Sequence, residues 1–534
     1  MSEFTTRAER IIDALLETDP ELAMWSGDHR FDAELPDYSR AAVTSRAAML
    51  REASHALAEI DIDDLDDDDA VDLELLTGKV SAALFNVTEL REHEWNPLVY
   101  NPGALLNTLL LRQSAPAEDR LTAVIQRLNA IPDALATAQA NLTDVPHIHA
   151  RTGAEQFRGT AALIERELRK LAAQVPGLEA AAAAAGDQAS AALHRFAEWL
   201  SARTDGRSPR LGRALWEGKL WHSLDTPLSA ATILSDSRRV LEETSEELAD
   251  AAGRLLGRPP SEETTAEALE RLAADRPDNA TVITMATELV AETTRFVEQH
   301  DLVTLIEDPL EVIELPDFAK GIAAAYVDAP GALETANVPT YYAISPAPSH
   351  WTPEQVDSFF AEYNDHMMKN LTVHEAMPGH YLQLAHARRN RGRTRTRQIS
   401  HSGTFVEGWA VYAEELMQRH DYGGLPVRIQ QLKMKLRMVL NAILDQLIHC
   451  DELSRDEAMH LMTRRGHQTE READGKWRRA LLSSTQLSTY FVGYREVARI
   501  AAAAPNGAPD RAWHDAMLSH GSIAPRHIAT LMGV

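Results

Sequence analysis

Over most of the chain, apolar residues recur at three- and four-residue intervals in segments rich in Ala, Leu, Glu and Arg. That is the spacing of helices with one buried face, not of alternating strands. The 25 prolines cut the pattern into stretches of helix length, so a mainly α fold is predicted. Thr352 and Pro353 read as an N-cap followed by proline at the first helical position, and Val356, Phe359, Phe360, Tyr363, Met367 and Leu371 continue as one apolar stripe. Val338 to Pro346 departs from this pattern. Its β-type residues are closed off by prolines, which predicts a short edge strand or an extended connector, the one small β element of the fold. As an edge it would hold a peptide by strand addition, with Tyr341 as the residue in contact.

Charge changes the picture in two places. The run Asp61 to Asp69 lacks the glycine and the spaced terminal Glu of a calcium loop, and reads as a solvated linker or a helix start. Between Arg388 and Arg397, six arginines in ten residues predict an exposed loop with a positive field, either simply solvated or able to draw acidic substrate groups. Over the whole chain the balance is acidic, a formal −27, which excludes nucleic acid and anionic membrane as main partners.

At 534 residues the chain exceeds the size of a single core, so two lobes are expected, about 1–300 and 301–534, with a site in a cleft between them. Hydrophobic residues at 44% and charged residues at 25% are ordinary for a globular protein. Cys450 is the only cysteine, which rules out an intramolecular disulfide and a cysteine metal cluster. The first sixteen residues read as a charged amphipathic helix rather than a signal peptide, and no window approaches the roughly 20 apolar residues of a membrane span. A cytoplasmic location is expected; no pattern fixes an oligomeric state.

The chemistry concentrates in Leu371 to Gln383, where His374, Glu375 and His380 fall within seven residues. Imidazole is the usual zinc ligand, and an adjacent Glu is the general base of hydrolytic zinc sites. The familiar zinc helix spaces its histidines four apart, whereas here they are six apart and would diverge by roughly 120° on a regular helix. Pro378 crowds the carbonyl of His374 and Gly379 adds freedom, which predicts a bend or bulge that swings His380 back. Glu407 is the only charge between Thr404 and Ala413, and a carboxylate in such apolar company calls for a cation. Glu414, seven residues on, shares its helix face and is placed to orient a ligand histidine. A structural alternative stands beside this one: Thr372 with Glu375, and Thr404 with Glu407, both match the capping box.

At these residues the chain resembles the bacterial DUF885 proteins, which are placed with the gluzincin-type zinc metallopeptidases. Their His-Glu-Ala-x-Pro-Gly-His motif matches His374 to His380, and their Glu-Gly-Trp-Ala-x-Tyr-Ala-Glu matches Glu407 to Glu414. Likeness extends from Gly27-Asp28 and Leu35-Pro-Asp37 to Tyr490-Phe-Val-Gly493 and Ser519-His-Gly-Ser522. The resemblance implies a two-lobed helical metallopeptidase-like fold with a deep cleft, and Zn2+ held by His374, His380 and Glu407 with Glu375 as base. By its place in the family motif, Tyr490 is the candidate oxyanion donor, with a core tyrosine as the alternative. Arg495 is a candidate for holding a substrate carboxylate, with an ordinary ion pair as the alternative.

The expected function is zinc-dependent hydrolysis of short peptides. Two alternatives are an amide hydrolase acting on a modified peptide or small metabolite, and a helical binding or scaffold protein without turnover. An intact Glu375 argues against the last, because a structural zinc site has no need of a base.

Overall fold

A computed structural model describes residues 2–204, 206–315, 324–505 and 510–534. Helices carry the architecture and a three-stranded sheet is its β element, as the apolar spacing predicts. The chain forms two compact units. The first comprises Met1–Leu215 with short returns at Pro330–Val338 and Arg391–Ser400, and the second Trp216–Ala329, Pro339–Asn390 and His401–Val534. No helix among the described residues is long and apolar enough to cross a membrane.

In the first unit, the long helices Ala117–Asn141, His147–Ala172 and Glu179–Ser201 bury Leu128, Ile131, Phe157, Ile164 and Phe196 in a common core. A second core gathers Ile12, Leu16, Leu50, Leu76 and Ile399. The two charge runs prove to be complements. Asp66 caps the helix Asp67–Phe85, so the acidic run is a helix start. Arg397 Nε donates to Asp72 Oδ1 at 2.7 Å with both residues buried, and Arg397 also reaches Asp68. Arg393 pairs with Asp69, and Arg395 with Glu9 and Asp13. In the second unit Arg389 pairs with Asp308. The basic run therefore does not present a free positive field to acidic substrate groups; neighbouring carboxylates cancel it.

The sheet of the second unit has the order β1-β3-β2. Strand β1 (Leu310–Glu314) runs parallel to β3 (Thr340–Ile344), and β2 (Ala325–Asp328) antiparallel to it. The segment predicted as an edge is thus the central strand. Pro339 and Pro346 flank β3 without removing any of its ladder donors, and with both sides paired it cannot accept a peptide strand. Tyr342 is fully buried with its hydroxyl 3.3 Å from Thr372 Oγ1. Strand alternation sends Tyr341, half-buried, to the opposite face of the sheet.

Thr352 is the expected N-cap, and Gln355 completes a capping box with it, but the apolar stripe beyond belongs to two helices, Pro353–Glu362 and Asp365–Glu375. Asn364 causes the break: its side chain accepts from the backbone N–H groups of His366 and Met367, each at 3.1 Å, and starts the second helix.

Candidate metal centre

The helix carrying His374 ends at Glu375, the chain turns through Ala376–Gly379 with a cis Met377–Pro378 peptide, and a new helix runs from His380 to Ala387. The bend predicted from Pro378 is a complete stop and restart. Gly379 is needed there for closeness rather than for an unusual φ. A Cβ at this position would lie 1.9 Å from the His374 carbonyl oxygen and 2.4 Å from that of Val373, whose oxygen accepts the Gly379 N–H at 3.0 Å. Trp409 Nε1 donates to the Pro378 carbonyl at 2.8 Å and ties the turn to the helix Gly403–Arg419. With the turn so fixed, the His374 and His380 rings meet edge to face, 4.7 Å between centroids. The six-residue spacing brings both imidazoles to one place.

Glu407 completes the cluster. Its Oε2 lies 3.5 Å from Nε2 of each histidine, and one donor atom from each of the three residues falls within 4.8 Å of the others. Neither glutamate is a helix cap. Ser402 caps the Glu407 helix while Thr404 donates to the Leu224 carbonyl, and Thr372 sits in the last turn of its own helix. Glu414 Oε1 accepts from His374 Nδ1 at 2.8 Å, and its Oε2 accepts from Asn370 at 2.7 Å. In the neutral ring that a metal ligand requires, this contact directs the Nε2 lone pair of His374 at the cluster. His380 has no such orienting partner among the described residues; its Nδ1 is buried without a hydrogen bond.

The electrostatics follow from burial and these contacts. Burial pushes the Glu375 carboxyl above its ordinary pKa against the pull of His380 and His374, and the nearby charges of Glu407 and Glu414 add to the rise. Burial also works to raise Glu407, but the imidazoles of His374 and His380, each 3.5 Å away, outweigh it and hold that carboxyl well below its usual range. His374 mirrors this: burial opposes its charged form, Glu407 and Glu414 favour it, and the favourable contacts win. Three carboxylates around two imidazoles thus call for positive charge at the centre, where Glu407 Oε2 is buried with no hydrogen-bond partner. Two nitrogens and a carboxylate oxygen, one ligand oriented from behind, fit the donor set of a catalytic zinc site.

The remaining candidates divide. The Tyr490 helix, Ser488–Ala502, packs against the Glu407 helix through two glycines. A Cβ on Gly408 would lie 2.3 Å from the carbonyl carbon of Gly493, and one on Gly493 would lie 2.0 Å from the Thr404 carbonyl oxygen. This contact brings Tyr490 near Glu407: burial raises its hydroxyl pKa and the Glu407 charge raises it further. The Tyr490 hydroxyl accepts from Arg479 at 3.1 Å, which leaves its own proton free to donate. Arg495 faces away into an ion pair with Asp236, so the ordinary reading holds for it. Tyr341, on the far face of β3, is not brought to the cluster. Asn370 and Arg479 escaped the sequence reading. Asn370 was detectable, because it lies four residues before His374 on the same helix face.

The model of a family described as "Bacterial protein of unknown function (DUF885)" matches residues 20–532. No curated protein matches the chain. A solved structure of a "putative lipoprotein of unknown function" from Shewanella oneidensis is similar over 100% of both chains, with 27% identity and a TM-score of 0.84. Another "putative lipoprotein", from Colwellia psychrerythraea, shares the fold at 16% identity and a TM-score of 0.81, over 99% of this chain and 97% of its own. Since the family match takes in both the His374–His380 turn and the Glu407 helix and leaves few residues outside it, the chain belongs to the DUF885 family of bacterial proteins of unknown function.

Proposed function

We propose that this protein is a zinc-dependent hydrolase of the gluzincin type that cleaves peptide bonds in short peptides. The observation that carries the reading is the meeting of His374, His380 and Glu407 within 4.8 Å, with Glu375 buried beside them. Zinc held by these three would act as a Lewis acid on a carbonyl oxygen and on water. Glu375 takes a proton from the attacking water at its carboxylate while the water oxygen joins the carbonyl carbon. As the C–N bond breaks, Glu375 passes that proton to the leaving nitrogen, giving one carboxylic acid and one amine. The free proton of the Tyr490 hydroxyl donates to the oxygen on which negative charge develops. Glu414 acts through His374, holding its ring and tautomer.

The test is Glu375→Gln, assayed on a panel of short peptides and on amide-modified analogues. It should retain zinc and lose about 10²–10⁴-fold in turnover, the scale of a general base. Wild-type protein that carries zinc and cleaves nothing on the panel sinks the peptidase reading; cleavage confined to the modified amides moves the substrate to that class.

A further inference from the structure

Among the helices of the second unit lies a group of cations with too few carboxylates. Lys433 pairs with Glu362 at 2.8 Å, and Arg437 pairs with Glu362 at 2.8 Å and Glu472 at 3.3 Å; all of these side chains are largely buried. On the helix Glu470–Leu482, Lys476 and Arg479 stand one turn apart and so share a face. Neither has a carboxylate partner among the described residues. Arg479 donates to two neutral oxygens, Gln486 Oε1 at 2.8 Å and the Tyr490 hydroxyl at 3.1 Å. Lys476, half-buried, has no hydrogen bond at all among the described residues. Asp474 on the same helix is already taken by Arg455 and Arg478.

This positive excess sits in a chain whose formal charge is −27. Its effect is visible on its neighbours. Burial, then the like charges of Arg437 and Arg479, push the Lys476 ammonium down to about 7 against the weaker opposing pull of Glu472 and Glu362. Burial together with Lys433 and Arg437 pushes His467 down to about 4. A half-buried ammonium without a partner is costly unless an anion joins it. The geometry also says where that anion would lie: Arg479 donates to the Tyr490 hydroxyl, and the Tyr490 helix packs through Gly493 against Gly408, the residue after Glu407.

We propose that Lys476 and Arg479 form the subsite that binds the terminal carboxylate of a peptide substrate, so that cleavage occurs near the C-terminus. This deepens the peptidase reading and rests on it for the cleavage, though not for the binding. It also replaces Arg495, whose guanidinium is engaged by Asp236. The shared chemistry is a carboxylate, and an acidic side chain could supply one as well as a chain terminus.

The experiment uses the full chain carrying Glu375→Gln, so that peptide survives, with and without added zinc. Calorimetry compares N-acetyl-alanyl-alanine, its C-terminal amide, and N-acetyl-alanyl-aspartic acid α-amide. The free acid should bind at least about tenfold more tightly than the amide, the scale of one charge-assisted hydrogen bond. That ratio should fall to about one in Lys476→Met and be restored in Lys476→Arg. Equal binding of acid and amide in the parent overturns the proposal, as does a ratio that survives Lys476→Met. The aspartate α-amide matching the free acid overturns the terminal assignment and makes the subsite a reader of acidic side chains. Zinc content of the same preparations reports separately: a preserved acid preference in protein that never binds zinc would keep the carboxylate subsite and remove the peptidase.

Discussion

Two carboxylates of the second unit are placed among apolar helices, and they are treated in opposite ways. Asp445, on the helix Gly424–Cys450, is fully buried and saturated. Its Oδ1 accepts from Trp216 Nε1 and the Thr485 N–H, and its Oδ2 from the Ser488 N–H and hydroxyl, at 2.7 to 3.1 Å. Glu407 keeps a buried Oε2 with no hydrogen-bond partner, 3.5 Å from two imidazole nitrogens. Both are acidic residues in apolar surroundings, so burial alone does not mark function. What separates them is whether the donors around the carboxylate are already in place. Asp445 is finished as part of the fold, whereas Glu407 is left open toward a centre that its neighbours also face.

Several substitutions bear on this contrast. Asp445→Ala strands four donors at once and should lower the unfolding free energy by about 3–5 kcal/mol, read from urea denaturation followed by tryptophan fluorescence. A loss under about 1 kcal/mol would break the structural half of the comparison. Gly493→Ala drives a methyl group into the Thr404 carbonyl and should destabilise by about 1–3 kcal/mol, while parting Tyr490 from Glu407. Unchanged stability there would mean that the two helices do not need their glycine contact. Glu414→Ala removes the acceptor behind His374 and should weaken zinc binding about 10–100-fold by competition with a chelator, with the fold retained. Full affinity in that variant would leave the orienting role without support. The smallest effect is expected for Glu407→Ala in zinc-free protein, about 1 kcal/mol or less: the attraction of the two imidazoles is lost, but so are the cost of burying the carboxylate and its repulsion of Glu375. A large destabilisation would place Glu407 with Asp445 after all.

Much of the site was legible because its residues lie in two short motifs whose chemistry is unusual in apolar helices. The turn at Pro378-Gly379 was readable from proline sterics, although the outcome was a new helix rather than a bend. The pairing of the Asp61–Asp69 and Arg388–Arg397 runs was not, because each is a local pattern and their meeting depends on tertiary placement more than three hundred residues apart in sequence. The prolines flanking β3 point to an edge strand or an extended connector, but they lie just beyond the ladder and so do not mark its position in the sheet. Lys476 escaped notice because an unpartnered lysine looks like any other until its surroundings are known.

The central claim is that His374, His380 and Glu407 together hold one zinc ion. Elemental analysis of purified wild-type protein and of His374→Ala, His380→Ala and Glu407→Ala tests it most directly. The account predicts about one zinc per chain in wild type and its loss in all three variants. Zinc retained in any one of them would remove that residue from the ligand set, and a wild type that takes up no zinc after reconstitution would contradict the account as a whole.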